Sequence, residues 1–242
     1  MGRVGGPHSP QDADWEQKQA REEGDMLKDE ARNLKDLEIR SVDATEMAEA
    51  VGVMVRGMRD NPIIVASLGE DPTIREQKLL RLFSALAGAE VPGRDRDILA
   101  ARGPDGSILG VCGMMPPGRC QPGLGRQLRL APSLLALGLG SAGRAMNWLG
   151  AWSKQDPEER HWHLGPVAVD AHLQGKGIGS RLMQAFCARM DDADEVAYLE
   201  TDKEINVRFY EKFGFVVVGK EDVLGVPNWY MLRRTEKHDQ DS

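Results

Sequence analysis

Apolar and polar residues alternate over Leu37-Glu38-Ile39-Arg40-Ser41-Val42, the period of a half-buried strand. The spacing then becomes helical. Met47, Ala50, Val51, Met54 and Val55 share one face behind Asp43 and Glu46, a pair with capping-box spacing. A second such pair, Thr73 and Glu76, predicts a helix bearing Leu79, Leu80, Leu82, Phe83 and Leu86. The apolar runs Asp97–Arg102 and Ser107–Cys112 flank Gly103-Pro104-Asp105-Gly106, which is hairpin chemistry. From Met115 to Arg160 the chain is rich in Pro and Gly and then helical, an insertion in which Leu130–Trp152 reads as buried or groove-lining helix. His161–Val169 and Val196–Thr201 have strand character, Arg181–Met190 and Ile205–Phe213 helical character, and Phe215–Gly219 and Trp229–Arg233 close the pattern as strands. The order predicts an α/β (α+β) fold: a central, mostly antiparallel sheet with helices on both faces. One parallel pair is expected where Leu164–Val169 and Val196–Thr201 are joined through a helix.

Composition sets the domain count. With 242 residues and 41% hydrophobic content, one domain with a sizeable core is expected over 37–235. Residues 1–36 carry too few apolar positions for a core and predict a charged, disordered extension, and 236–242 a flexible tail. A net charge of −7 argues against nucleic acid as the main partner. No run approaches the roughly 20 apolar residues needed to cross a bilayer, and the N-terminus lacks a signal-peptide core, so no membrane partner is expected. Cys112, Cys120 and Cys187 are odd in number and lack metal-type spacing, which predicts neither a disulfide framework nor a zinc site and suits a reducing cytoplasm. His8, His172 and His238 are dispersed, and Arg119, Arg126 and Arg129 read as a solvated face.

The chemistry concentrates at Gln174-Gly175-Lys176-Gly177-Ile178-Gly179-Ser180, between a predicted strand and a predicted helix. Successive backbone N–H groups turning inward ahead of a helix N-terminus form an anion cradle, and the glycines let a ligand approach the main chain. A nucleotide pyrophosphate fits such a cradle. A dinucleotide fold would also place Gly175-x-Gly177-x-Gly179 after a strand, with Glu200 about 20 residues on. However, the glycine spacing departs from that fingerprint and too little chain follows for a doubly wound sheet.

A second block, Asn206-x-x-x-Tyr210-x-x-x-Gly214-Phe215, lies on an amphipathic helix and its exit. With Gln174, Gly177 and Gly179 it resembles the two signatures of the Gcn5-related N-acetyltransferases. Over His161–Arg233 the resemblance is closest to the puromycin N-acetyltransferase group, through Trp162, Val169-Asp170, Gln174-Gly175-Lys176-Gly177, Leu199-Glu200-Thr201, Tyr210-Glu211 and Trp229-x-Met231. The resemblance implies acetyl-coenzyme A as acetyl donor, wedged where the two parallel strands splay apart, with no metal. Backbone N–H groups of Val167, Ala168 and Val169 would hold pantetheine and the acetyl oxygen. Residues 174–180 (Gln174, Gly175, Lys176, Gly177, Ile178, Gly179 and Ser180) would cradle the pyrophosphate, and Asn206 would bond the coenzyme. Tyr210 would protonate the departing thiolate. His163, with a pKa near neutrality when unperturbed, and Glu200 compete as the base. The acceptor is expected to be a small-molecule amine, apolar or aromatic given the Met, Trp and Leu content of Met115–Trp152, with the protein a monomer or homodimer. A protein or peptide acceptor, or a non-catalytic acyl-coenzyme A sensor, are the alternatives.

Overall fold

The computed structural model describes residues 37–88, 97–120 and 124–235. The expected N-terminal extension and C-terminal tail, with His8 and His238, lie outside the described residues. Among the described residues seven strands form one sheet: β1 (Glu38–Ser41), β2 (Asp97–Arg102), β3 (Ile108–Met115), β4 (His161–Val169), β5 (Val196–Thr201), β6 (Val216–Val223) and β7 (Val226–Arg233). Their spatial order is β1-β2-β3-β4-β5-β7-β6, antiparallel throughout except for β4 and β5. A mostly antiparallel sheet is not the doubly wound parallel sheet of a dinucleotide fold.

Strand alternation divides the core into two layers. On β2, Ile98 and Ala100 join the layer containing α1 (Met47–Met58), α2 (Pro62–Leu68) and α3 (Pro72–Gly88). Leu99 and Ala101 join the opposite layer with α6 (Ile178–Ala193) and α7 (Glu204–Glu211). The insertion forms α4 (Leu124–Leu135) and α5 (Leu139–Lys154), separated where Gly138 adopts a φ of +84°. Among the described residues, no helix is long and apolar enough to cross a membrane.

Several boundaries differ from the sequence expectation for local physical reasons. Asp71, not Thr73, caps α3: its Oδ1 accepts the N–H groups of Thr73 and Ile74, both at 2.9 Å, and Pro72 opens the helix where its missing N–H costs nothing. Glu76 is thereby released to pair with Arg59 at 2.9 Å. Leu80 is 45% exposed rather than on the buried face of Leu79 and Leu82. α2 is an additional helix; its few residues carry too short a period to read. β6 and β7 run past their predicted ends because β6 is a solvent-facing edge strand whose Lys220-Glu221-Asp222 segment masks the alternation. They turn through Leu224 and Gly225, both at positive φ, the geometry of a two-residue hairpin.

The capping pair at the start of the domain has a second task. Glu46 Oε2 accepts the Asp43 N–H at 2.9 Å and also binds the Arg102 guanidinium, only 2% exposed, at 2.6 Å, while Oε1 binds Arg40 at 2.8 Å. The Asp43 N–H, then Arg40 and Arg102, hold the Glu46 carboxyl down from 4.5 to about 2. A depressed carboxyl stabilises the fold above its unfolded value and loses that contribution as pH falls through its folded value. Glu46→Gln should therefore lower Tm at neutral pH and flatten the fall in wild-type Tm between about pH 4.5 and 2. Thermal melts across that range check it.

Candidate active site

β4 and β5 are paired only at His161↔Val196, Trp162↔Ala197 and His163↔Tyr198. Beyond His163, β4 keeps its pairing with β3 while β5 pairs with β7, so a gap opens between the two parallel strands. On the other edge of β4, toward β3, the Pro166 ring packs where a Gly113 side chain would stand, at 3.2 Å, beside the irregular register between Cys112 and Met114. Val167 and Ala168 pair with Cys112 and Val111, and Val169 with Gly110, so their other edge faces the gap.

At the far end of β4 the chain passes through a short 3-10 turn, Ala171–Leu173, into the glycine loop and α6. Gly175 and Gly177 have φ of +79° and +89°, and nothing lies within 4 Å of where a Cβ would project from either. Gly177 is the N-cap of α6, which begins at Ile178, three residues earlier than the sequence predicts. Gly179 instead meets Phe209 and Val169 at ordinary contact distance, where α6 passes α7 and β4. The Gln174 amide donates to the carbonyls of Gly57 (3.3 Å) and Val169 (3.2 Å), tying the loop to α1 and β4. Gly57 is needed there, since its Cβ would come within 2.6 Å of the Val169 carbonyl.

A cavity of about 690 Å³ joins the gap to the insertion. Its floor includes Gly165, Pro166 and Val167, its apolar walls include Met54, Phe83, Leu134, Trp148 and Trp152, and Asn206 and Tyr210 line it from α7. The Tyr210 ring packs edge-on against Phe209 and Phe215, with centroids at 5.3 and 6.0 Å. Burial raises its phenol above the ordinary value, so the hydroxyl stays protonated. The Asn206 amide donates to Thr201 Oγ1 at 3.2 Å.

The polar wall holds Cys120, Asp156, His163, Glu200 and Asp202. Glu200, its side chain 2% exposed, accepts from His163 Nε2 at 2.8 Å. Burial would lower His163, but Glu200 and then Asp156 outweigh it and raise the imidazole well above its ordinary value. Asp202 Oδ2 accepts the Ile63 N–H at 2.8 Å, and burial raises its carboxyl despite that bond.

Residues 104–215 match the model of the Acetyltransferase (GNAT) family. Solved GNAT-type structures share the fold. A Corynebacterium glutamicum protein described as histone acetyltransferase HPA2 and related acetyltransferase superposes with a TM-score of 0.64 at 22% identity, covering 82% of this chain and 96% of that one. The Drosophila melanogaster polyamine N-acetyltransferase that forms N-acetylagmatine gives 0.56 at 14%, covering 82% and 100%. Arylalkylamine N-acetyltransferase 2 of Aedes aegypti gives 0.54 at 12%, covering 82% and 99%.

Within this fold the structure brings His163, Glu200, Asn206, Tyr210 and Val167 to one cavity, and sets the 174–180 loop at the end of β4. The sequence does not single out Asp202, which only folding carries to the N-terminus of α2. Nor does it foresee that Cys120, without metal-type spacing, comes together with Asp156, His161 and His163, whose ligand-type atoms all lie within 4.8 Å of one another. The local trace of that cluster is His161-x-His163, two imidazoles on one strand face.

Proposed function

We propose that this chain moves the acetyl group of acetyl-coenzyme A to a primary amine of a small molecule by direct attack in a ternary complex. The observation that carries this reading is the single cavity that runs from the gap between β4 and β5, past Tyr210, into an apolar chamber under α4 and α5. A coenzyme and an amine could meet there away from bulk water. The pyrophosphate would rest on backbone N–H groups of the loop, where φ beyond +75° at Gly175 and Gly177 shapes the turn and the start of α6 adds its positive end. Lys176 adds charge to the same place. Pantetheine would run along the free edge at Val167–Val169, whose N–H groups can also steady the oxyanion of the tetrahedral intermediate.

As the amine attacks and the C–S bond breaks, Tyr210 gives its proton to the thiolate. An ammonium substrate must lose a proton first. Asp202 suits that task, since its raised carboxyl is a stronger acceptor than an ordinary aspartate. His163 and Glu200 hold one another, so we assign both to positioning. Chamber and carboxylates together suit an amine with an apolar or aromatic body, in keeping with the resemblance to puromycin N-acetyltransferases. Cytoplasmic location and action as a monomer or homodimer belong to the same proposal.

Initial rates with both substrates varied should give intersecting double-reciprocal lines. Parallel lines with an acetylated Cys120 would contradict direct attack, and acetyl-coenzyme A binding without thiol release across a broad amine panel would mark a sensor. Asp202→Asn keeps an acceptor for the Ile63 N–H. It should lower kcat/KM about 10²-fold near neutral pH and recover as rising pH deprotonates the amine unaided. A pH-independent change would remove Asp202 from proton transfer.

A further inference from the structure

We propose that Cys120, Asp156, His161 and His163 bind a zinc ion that pins both ends of the α4–α5 insertion to β4. Cys120, Asp156 and His163 also line the cavity, but the proposal does not depend on the acetyl-transfer reading. The tautomers follow from the outer partners. His161 Nδ1 lies 2.8 Å from the Glu159 carbonyl and His163 Nε2 lies 2.8 Å from Glu200 Oε2, and neither acceptor can donate, so both nitrogens carry the hydrogen. The other two, His161 Nε2 and His163 Nδ1, then turn their lone pairs on the same point. Asp156 Oδ1 lies 3.2 Å from the first and 3.4 Å from the second, and Cys120 Sγ lies 3.5 Å from His161 Nε2. Zn–N and Zn–O bonds of about 2.0–2.1 Å and a Zn–S bond of about 2.3 Å give tetrahedral edges of about 3.3 Å between N and O and about 3.6 Å between N and S. These three separations match those edges, and all four ligand atoms lie within 4.8 Å of one another.

His163 Nδ1 is buried and makes no hydrogen bond, as expected of an atom whose partner is a cation. The outer shell is also that of a metal site: a carboxylate on one imidazole and a backbone carbonyl on the other fix the rings with their lone pairs inward. A nucleophilic Cys–His–Asp relay would need Asp and Cys on opposite nitrogens of one ring. His161 does not meet that requirement, since Asp156 and Cys120 both face its Nε2 and its Nδ1 is taken by a carbonyl; at His163, Glu200 holds Nε2 while Nδ1 faces Asp156 together with Cys120, so cobalt and zinc binding separate a metal site from a thiol relay. Four protein ligands of mixed S, N and O type make a closed site, which suits structural zinc rather than an octahedral hard cation. Cys120 precedes α4 and Asp156 follows α5, so one ion would anchor the roof of the cavity at both ends.

The full chain, purified under reducing conditions and stripped with a chelator, should take up one equivalent of cobalt(II). The spectrum should show the thiolate-to-cobalt charge-transfer band and intense d–d bands of a four-coordinate site, and zinc should displace both. Cys120→Ser should lose the charge-transfer band and bind zinc at least tenfold more weakly. Zinc should also slow proteolytic cleavage within residues 116–157 of the wild-type protein. Failure of the stripped wild type to compete with a chromophoric chelator for zinc, or cobalt bands unchanged in Cys120→Ser, would overturn the proposal. The wild-type competition decides even if the variant misfolds, and none of these readouts requires acetyl transfer.

Discussion

Acetyl-coenzyme A should raise the Tm of the wild-type protein, and Gly177→Val should erase that rise. A ligand at 100 times its Kd stabilises the native state by about 2.7 kcal/mol, a shift of several degrees. Gly177 sits at φ +89° as the N-cap of α6, where a β-branched residue is sterically excluded. Valine would re-route the turn that aims the loop N–H groups, so coenzyme affinity should fall by far more than stability. Gly106→Val separates the two effects, because Gly106 has nearly the same φ, +83°, in the β2–β3 turn away from the loop. That variant should lower Tm yet keep the full acetyl-coenzyme A shift. An undiminished shift in Gly177→Val would remove the loop from coenzyme binding.

Tyr210→Phe should cut kcat by about 10²- to 10⁴-fold while acetyl-coenzyme A affinity stays within a few-fold. The ring would keep its packing against Phe209 and Phe215, so the substitution deletes little beyond the hydroxyl. Burial keeps that phenol protonated at neutral pH, the state a donor to the leaving thiolate requires. Single-turnover measurements separate this step from product release. A loss of tenfold or less would reassign Tyr210 to positioning.

Local patterns in this chain translate into structure where one element's own residues decide the outcome. Alternation along Ile98–Ala101 sorts side chains between two core layers, and the glycine loop and the Asn206/Tyr210 helix are legible because each is continuous in sequence. Thr73 fails as a cap because Asp71 with Pro72 offers the better start two residues earlier, a contest between neighbours that spacing alone does not rank. The role of Gln174 is hidden for another reason: its amide is bound by the Gly57 and Val169 carbonyls, and Gly57 lies on a helix more than a hundred residues away. The Cys120–Asp156–His161–His163 cluster is the extreme case. A loop, the exit of a helix and alternate positions of one strand converge only after the insertion folds over β4, so linear cysteine spacing carries no trace of it.

The central claim is that the cavity between the splayed strands joins an acetyl donor to an amine. The most direct test incubates the protein with acetyl-coenzyme A bearing a ¹³C-labelled acetyl group and a panel of arylalkylamines, aminonucleosides, polyamines and peptides. Free thiol and product mass are followed together. The expected result is a small amine that gains one labelled acetyl group per coenzyme A released, with the rate collapsing in Tyr210→Phe. Label appearing only on peptide amines would contradict the small-molecule assignment, and thiol release with no labelled amine would contradict amine transfer itself.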